Sequence, residues 1–229
     1  EAVSGKMVEL NPGFDSKLTS YPGKARPNIT NGIVTGLGFA TDDITDISPI
    51  RALSGITNLK LDSNDTRKSK FQDLSPLKGL QLTSVAFNNT GVSNLEPLRG
   101  MPLTAVEFIH TRVSSLAPLG DMPLKIVRFG GIGMSVSDLS PLRDAPLTHL
   151  ICTSPTLSDL SPLAGKQMLS LDIQGTKVSD IRIVADMPLR VFIFTYSPRI
   201  DAHREFLKIH RPIKTLGMIN FKPAADFWK

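Results

Sequence analysis

The sequence has few of the residues on which small disulfide-stabilised or metal-binding proteins depend. One cysteine in 229 residues excludes an internal disulfide framework and any multi-cysteine zinc or iron–sulfur site. Aromatic residues amount to 6% of the chain, and no uninterrupted apolar stretch approaches the ~20 residues of a membrane span. A hydrophobic fraction of 41% is still ample for a large buried core. We therefore expect a folded chain without direct membrane insertion.

Positive charge is also modest and unevenly distributed. The formal net charge is +5, and residues 199–229 carry seven Lys or Arg against three acidic residues. A nucleic-acid-binding protein more often shows a dense basic face with interleaved aromatic residues. We predict no nucleic-acid partner.

Proline, by contrast, is abundant and regularly spaced. Variants of the phrase Asp-Leu-Ser-Pro-Leu place prolines at positions 49, 76, 97, 118, 141 and 162, which are 27, 21, 21, 23 and 21 residues apart. A seventh copy places Ile183 where the next proline would fall. The base period is therefore 21 residues, with insertions at 62–70 and 130–135.

A second pattern, apolar-x-x-apolar-x-apolar, begins six residues after most of these positions. Its clearest copies are Leu82/Val85/Phe87, Leu103/Val106/Phe108 and Leu124/Val127/Phe129. A third apolar column follows, and three of its members are preceded by Thr90, Thr111 and Thr176. About eight such copies in register predict a repeat protein in which each copy forms one strand.

This repeat resembles the leucine-rich repeat, L-x-x-L-x-L-x-x-N-x-L, with threonine mostly in place of asparagine. The resemblance implies an α/β solenoid, a right-handed horseshoe of about eight coils. Its parallel β-sheet would lie on the concave face, and short 3₁₀ or α turns on the convex face. We expect the threonine hydroxyls to satisfy backbone groups. We also expect serines to act as N-caps of the turns, as at Ser75, Ser140 and Ser161.

The ends of a solenoid need covers, because terminal coils have no neighbour. We predict an N-terminal cap over 1–28, repeats over 29–198 and a C-terminal cap over 199–229. In the first cap, the residues expected to cover the first coil are Val3, Met7, Val8 and Phe14. Residues 201–210 are predicted to form a helix in the second cap.

The repeats are similar to bacterial repeats of the planctomycete type, on motifs such as V-S-D-L-S-P-L and on the flanks ELNPGF at 9–14 and INFKPAADFWK at 219–229. Such repeats often lie C-terminal to membrane-anchored serine/threonine protein kinases. The resemblance implies part of a larger signalling protein and an extracytoplasmic or cell-envelope location, with the cytoplasm left open. No kinase motif is present, so kinase activity does not carry over.

Outward strand positions form lateral columns across the coils. Glu107 and Arg128 fall on adjacent coils of the central column, ~4.8 Å apart, and are expected to pair. One interpretation is a solvated ion pair of little energetic value. The other is the centre of a recognition patch on the concave face, whose candidate residues are Glu107, Ile109, His110, Ile126, Arg128, His149, Ile151, Asp172 and Tyr196.

No catalytic residue, metal site or cofactor is predicted. His110 and His149 would lie ~10 Å apart across the coils and ~16 Å apart along the strands, too far to share an ion. Cys152 falls in an inward column, where a small core residue is expected. The run Gly130-Gly131-Ile132-Gly133 lacks a following P-loop lysine and indicates a bulged loop.

The sequence therefore predicts a non-enzymatic, monomeric scaffold or sensor that binds a protein or peptide. The alternatives are an extracytoplasmic carbohydrate- or cell-wall-binding module and a spacer without a ligand. The scarcity of outward aromatic residues counts against sugar stacking.

Overall fold

A computed structural model of the chain describes residues 2–19, 26–65 and 69–195 and two short strand segments, 218–219 and 222–223. The described strands form one 11-stranded sheet in sequence order. Their bounds are Asn28–Thr30 (β1), Ile33–Gly38 (β2), Asn58–Lys60 (β3), Ser84–Ala86 (β4), Ala105–Ile109 (β5), Ile126–Gly130 (β6), His149–Thr153 (β7), Ser170–Ile173 (β8), Val191–Phe194 (β9), Met218–Ile219 (β10) and Lys222–Pro223 (β11).

The sheet is parallel except at its two edges. From β2 to β10 each strand pairs in parallel with its successor. The pairs β1–β2 and β10–β11 are antiparallel. One parallel strand per repeat, with each connection advancing by one strand, is the topology of a solenoid. The predicted parallel sheet is confirmed.

Short 3₁₀ helices form the opposite side of the coils between β2 and β9. They span Ser48–Ala52, Ser75–Leu77, Glu96–Leu98, Ala117–Leu119, Ser140–Leu142, Ser161–Leu163 and Arg182–Asp186. Except in the last, a proline lies within the first turn, where its φ favours the helix and its missing N–H is tolerated. The short turns predicted between the strands are therefore confirmed.

The prediction that serine caps these turns is wrong. The 3₁₀ helix at Ser140 begins at the serine itself, and its N-cap Leu139 makes no side-chain capping bond. Instead Asp138 accepts hydrogen bonds from the backbone N–H and the hydroxyl of Ser140, both at 2.7 Å. A carboxylate two residues upstream reaches the first free N–H in an Asx turn, whereas a hydroxyl at the helix start cannot.

The core runs along the sheet between the strands and the turns. Phe87, Phe108 and Phe129 are fully buried and stack in register, with ring centroids 5.6 and 5.5 Å apart. The hydroxyls of Thr90 and Thr111 donate to the carbonyls of Phe87 and Phe108 at 2.8 and 3.1 Å. Thr176 bonds the carbonyl of Ile173 in the same way, at 2.8 Å. The predicted role of the threonine column is confirmed.

The N-terminal segment begins with helix α1, Ala2–Leu10. Met7 and Phe14 are buried, as expected of residues that cover the first coil, but Val8 is 42% exposed and does not. Asn11, which the sequence did not single out, is buried and ties the segment to the first turn. Its amide donates to the carbonyl of Asp46 at 2.8 Å and accepts the Asp46 N–H at 2.9 Å.

The structure leaves several predictions without a test. Tyr196 and the helix at 201–210 lie outside the described residues, and the division into three domains remains a prediction. In the part of the chain that the structure describes, no helix is long and apolar enough to cross a membrane.

Candidate functional site

The outward side chains of β3 to β9 form the columns that the repeat spacing predicted. In the central column Glu107 is in register with Arg128, Arg128 with Ile151, Ile151 with Asp172, and Asp172 with Ile193. A neighbouring column aligns Ile126 with His149. The candidate residues on these strands therefore share one face of the sheet, opposite the core.

The first coil contributes little to this face, because the N-terminal segment covers it. Thr19 and Gly38 exchange backbone hydrogen bonds of 2.7 and 2.9 Å. A Cβ on Gly38 would lie 2.9 Å from the Thr19 hydroxyl, and a Cβ on Gly36 would lie 2.7 Å from the Asn28 amide nitrogen. These two glycines, in columns that elsewhere carry side chains, are the sequence signal for this close approach.

Glu107 and Arg128 form the expected ion pair across β5 and β6. Arg128 Nη1 lies 3.2 Å from Glu107 Oε2, and the two side chains are 43% and 23% exposed. Solvent therefore reaches both partners, which limits what the pair adds to stability.

This pair belongs to a longer chain of polar contacts, which we call the polar ladder: Lys60, Asp62, Asn88, Glu107 and Arg128. Lys60 Nζ lies 3.4 Å from Asp62 Oδ2, and Asp62 Oδ1 accepts the Asn88 N–H at 2.8 Å. The Asn88 amide donates to Glu107 Oε1 at 2.8 Å and accepts the Ile109 N–H at 2.7 Å. Each charge in the ladder thus has a partner on its own or an adjacent coil.

A different environment surrounds Asp172, which with Ile151 and Ile193 makes up what we call the Asp172 patch. Asp172 Oδ1 accepts the backbone N–H of Gln174 at 3.0 Å, and this is the only hydrogen bond to its carboxylate among the described residues. Partial burial raises the pKa of Asp172, and the bond from Gln174 offsets that effect only in part.

The apolar candidates on this face are less exposed than the sequence suggested. Ile109, Ile126 and Ile151 are each half-buried, and Ile193 is only 7% exposed. Ala86 is in register with Lys60 and Glu107 and is itself buried, because longer neighbours flank its small side chain. Alternation therefore predicted the direction of these side chains but not their accessibility.

The two candidate histidines are held by separate local contacts. His110 is exposed, has φ +54°, and its Nδ1 lies 3.1 Å from the side-chain oxygen of Asn89. His149 is half-buried, and its Nδ1 lies 2.9 Å from the Thr148 hydroxyl. His110 directly follows β5 and His149 is the first residue of β7, so the two histidines lie two coils apart, as the spacing predicted.

The glycine-rich insertion after β6 brings neighbouring coils close together. Gly131 has φ +89°, and a Cβ there would lie 1.9 Å from His110 Cδ2. A Cβ on Gly130 would lie 2.0 Å from the Thr153 hydroxyl. Met134 then returns to the core, where it is 4% exposed. The insertion is the bulged loop that the sequence indicated.

Polar groups at the carboxyl ends of β2 and β3 form a cleft that the sequence did not reveal. A cavity of about 560 Å³ lies between the N-terminal segment and these strand ends. Its charged side chains are already paired: Lys17 with Asp15 at 3.1 Å and Lys60 with Asp62 at 3.4 Å. Residues 15–19 form one wall of this cleft, and the repeat pattern does not include them.

Asp42 organises the start of the first insertion beside this cleft. Burial alone would raise the pKa of Asp42, but hydrogen bonds from Ser63, Asn64 and Asp65 outweigh it, and the pKa lies below its ordinary value. The Ser63 hydroxyl donates to Asp42 Oδ1 at 2.6 Å, and the Asn64 amide donates to Oδ2 at 2.7 Å. This part of the insertion is therefore anchored to the preceding coil.

Two observations concern the reactive and metal-binding side chains of the described residues. Cys152 is fully buried, and burial raises the pKa of its thiol, so the reactive thiolate is disfavoured. Among the described residues, no three His, Cys, Asp or Glu side chains come together as a metal site. The face carries the paired charges of the polar ladder, the carboxylate of Asp172 and half-buried aliphatic residues.

One strand per coil, 3₁₀ turns and a buried threonine column together define a leucine-rich-repeat solenoid. Internalin C2 from Listeria monocytogenes has a similar structure, with a TM-score of 0.58 and 27% identity over 67% of this chain and 67% of that chain. Internalin F from the same organism matches 77% of this chain with a TM-score of 0.53, at 23% identity. This chain spans 57% of that internalin F chain, a likeness of fold alone.

No known protein family and no curated protein sequence matches the chain. The structural likeness to internalins, which are leucine-rich-repeat proteins, confirms the fold predicted from the 21-residue period and supports a bacterial leucine-rich-repeat protein.

Proposed function

We propose that this chain is a non-catalytic module that binds a protein or peptide on the concave face of its sheet. The observation that carries the proposal is the placement of half-buried isoleucines directly beside charged groups on one continuous face. Ile126 and Ile151 flank Arg128, which pairs with Glu107. Apolar area next to oriented charges is the composition from which protein-binding surfaces gain both affinity and specificity.

The likeness to internalin C2 supports this proposal at the level of fold. A solenoid exposes a long sheet face without closing it, and such extended faces suit macromolecular partners better than small molecules. The cleft near the N-terminal segment is a weaker candidate for the binding site, because its charged side chains already form ion pairs with one another.

The test is affinity capture from native lysate with the wild-type full chain, two concave-face variants and one control variant. We expect the wild-type chain to recover a specific protein, and Arg128→Glu and Ile151→Asp each to abolish its recovery. Arg128→Glu reverses a charge at the centre of the face, while Ile151→Asp places a second carboxylate beside Asp172.

Arg143→Glu is the matched control, since it makes the same charge reversal on an exposed residue next to a convex turn. Recovery that persists in both concave variants would contradict the proposed surface. Binding on a glycan array, abolished by the same variants, would instead identify a carbohydrate module. No specific protein or glycan retained by the wild-type chain would favour a spacer.

The wider setting is also a proposal. We infer a monomeric sensing or scaffolding part of a larger bacterial signalling protein with an extracytoplasmic location, supported by the resemblance of the repeats and flanks to planctomycete-type sequences. A kinase domain and membrane span in the same reading frame would support this setting, and a reading frame with neither would contradict it. Light scattering on the purified chain tests the monomer.

A further inference from the structure

We propose that the Asp172 patch binds a lysine or arginine side chain of the partner protein. The cationic group would contact the Asp172 carboxylate, and the aliphatic stem would lie on Ile151. The proposal rests on the proposed function, because it names the chemistry that the same face would recognise.

The first argument is the unused hydrogen-bonding capacity of Asp172. Among the described residues, Asp172 accepts one hydrogen bond, which the Gln174 N–H donates to Oδ1. Among the described residues no donor reaches Oδ2, and none forms a salt bridge with this carboxylate. An ionised carboxylate can accept several hydrogen bonds, so this group has capacity for an incoming donor.

The second argument is the position of the carboxylate between two isoleucines. Register places Ile151 on one side of Asp172 and Ile193 on the other, and none of these residues supplies a positive charge. Arg128, the nearest cation in the same column, lies two strands away, ~10 Å by strand spacing, and is paired with Glu107. A half-buried carboxylate with aliphatic neighbours suits a side chain that has both a hydrocarbon stem and a cationic end.

The third argument is a comparison with Glu107, which explains why an incoming cation would bind at Asp172 and not at Glu107. Glu107 already accepts bonds from Asn88 at 2.8 Å and Arg128 at 3.2 Å, so an incoming cation would have to displace a bound one. At Asp172 no cation among the described residues has to be displaced. A charge-assisted bond formed there therefore contributes to affinity without breaking one in the free protein.

Panning of phage-displayed random dodecapeptides on the full chain tests the proposal. We expect the enriched peptides to carry Lys or Arg next to an aliphatic residue. In fluorescence anisotropy, Asp172→Asn should weaken the best such peptide about tenfold, the value of one charge-assisted hydrogen bond. Asp172→Lys should abolish its binding and shift the selection toward acidic peptides. Asp172→Asn preserves the shape and the acceptor for Gln174.

Asp144→Asn is the control for net charge, since it removes one exposed carboxylate beside a convex turn. An equal loss of affinity in Asp144→Asn and Asp172→Asn would overturn the proposal in favour of general electrostatic attraction. Peptide binding that is abolished by Ile151→Asp but unaffected by Asp172→Asn would overturn this proposal, while the proposed function would stand. If no enriched peptide depends on any concave residue, both are contradicted.

Discussion

The charged side chains on the two halves of the concave face differ in the partners that they have within the chain. On β3 to β6 the polar ladder joins Lys60 to Arg128 through contacts of 2.8 to 3.4 Å, so every charge is partnered within the chain. On β7 to β9 the single carboxylate of Asp172 lies between isoleucines and accepts one backbone N–H. One half of the sheet face thus has charged groups that already bond to one another, and the other half has a carboxylate that can still accept hydrogen bonds from a ligand.

This difference suggests that the two halves of the face contribute differently to affinity and to specificity. A group that is already bonded gains little from a ligand, because one hydrogen bond replaces another. Such groups instead hold the coils in one arrangement and repel partners of the wrong charge pattern. A carboxylate that accepts a single hydrogen bond and lies beside apolar side chains gains more on binding. Affinity is therefore expected mainly from the Asp172 patch and specificity mainly from the polar ladder.

The largest expected effect concerns the core under the two halves. The same inward column carries three stacked phenylalanines below the polar ladder but Cys152, Ile173 and Phe194 below the Asp172 patch. Phe108→Ala should lower the free energy of unfolding by about 3–5 kcal/mol, because it leaves a cavity within the stack. Cys152→Ala should cost about 1 kcal/mol. Urea unfolding followed by circular dichroism measures both, and equal costs would contradict the larger contribution of the phenylalanine stack to stability.

A smaller effect separates the polar groups of the two halves. Asn88→Ala should lower the free energy of unfolding by about 1–2 kcal/mol, since it leaves the Ile109 N–H without its side-chain acceptor and removes one of the two bonds to the Glu107 carboxylate. Gln174→Ala is the matched change near Asp172, where Gln174 contributes its backbone N–H, and should cost less than about 0.5 kcal/mol. Chemical denaturation of both variants makes the comparison. A larger loss at Gln174 would reverse it.

The smallest effect is a pH dependence at Asp172. Its pKa is raised above 3.8 by burial, so the folded chain holds this proton more tightly than the unfolded chain does. The stability contributed by Asp172 is therefore present at low pH and falls as pH rises through its folded pKa. Asp172→Asn should match the wild-type chain at pH ~3 and exceed it at pH ~7 by a few tenths of a kcal/mol, because solvent screens a half-exposed group.

Asp159 is the control of opposite sign. The backbone N–H and hydroxyl of Ser161 lower its pKa, so its contribution is present above 3.8 and is lost as pH falls through the folded pKa. Asp159→Asn should therefore be less stable than the wild-type chain at neutral pH. Urea unfolding at the two pH values tests both aspartates, and a common sign would contradict the assigned environments.

Much of this surface was predictable from spacing alone. The 21-residue period placed Glu107 beside Arg128 and Ile151 beside Asp172, and both neighbours are confirmed. The inward position of Cys152 followed from the same alternation. These predictions hold because a parallel sheet with a constant repeat has only one register that keeps its apolar side chains inside.

Other features could not be read from the period because they lie outside it. Val8 is exposed although its type suits a cap, and the N-terminal run that includes Thr19 lies against the first coil. Asp138 accepts the backbone N–H and the hydroxyl of Ser140 where a serine cap was expected, because the carboxylate lies two residues upstream and the serine hydroxyl is used as a donor to it. Each of these depends on a local geometry that residue type alone leaves open.

The sequence by itself determined the solenoid, the strand in each coil, the inward and outward columns and the charges that fall side by side. These follow from hydrophobic periodicity and proline position, which act locally and identically in every coil. Only the tertiary structure decided which outward positions stay accessible and which charges are already satisfied. The reason is physical: accessibility and hydrogen bonding are set by side chains on neighbouring coils and by the N-terminal segment, whose approach is not part of the repeat.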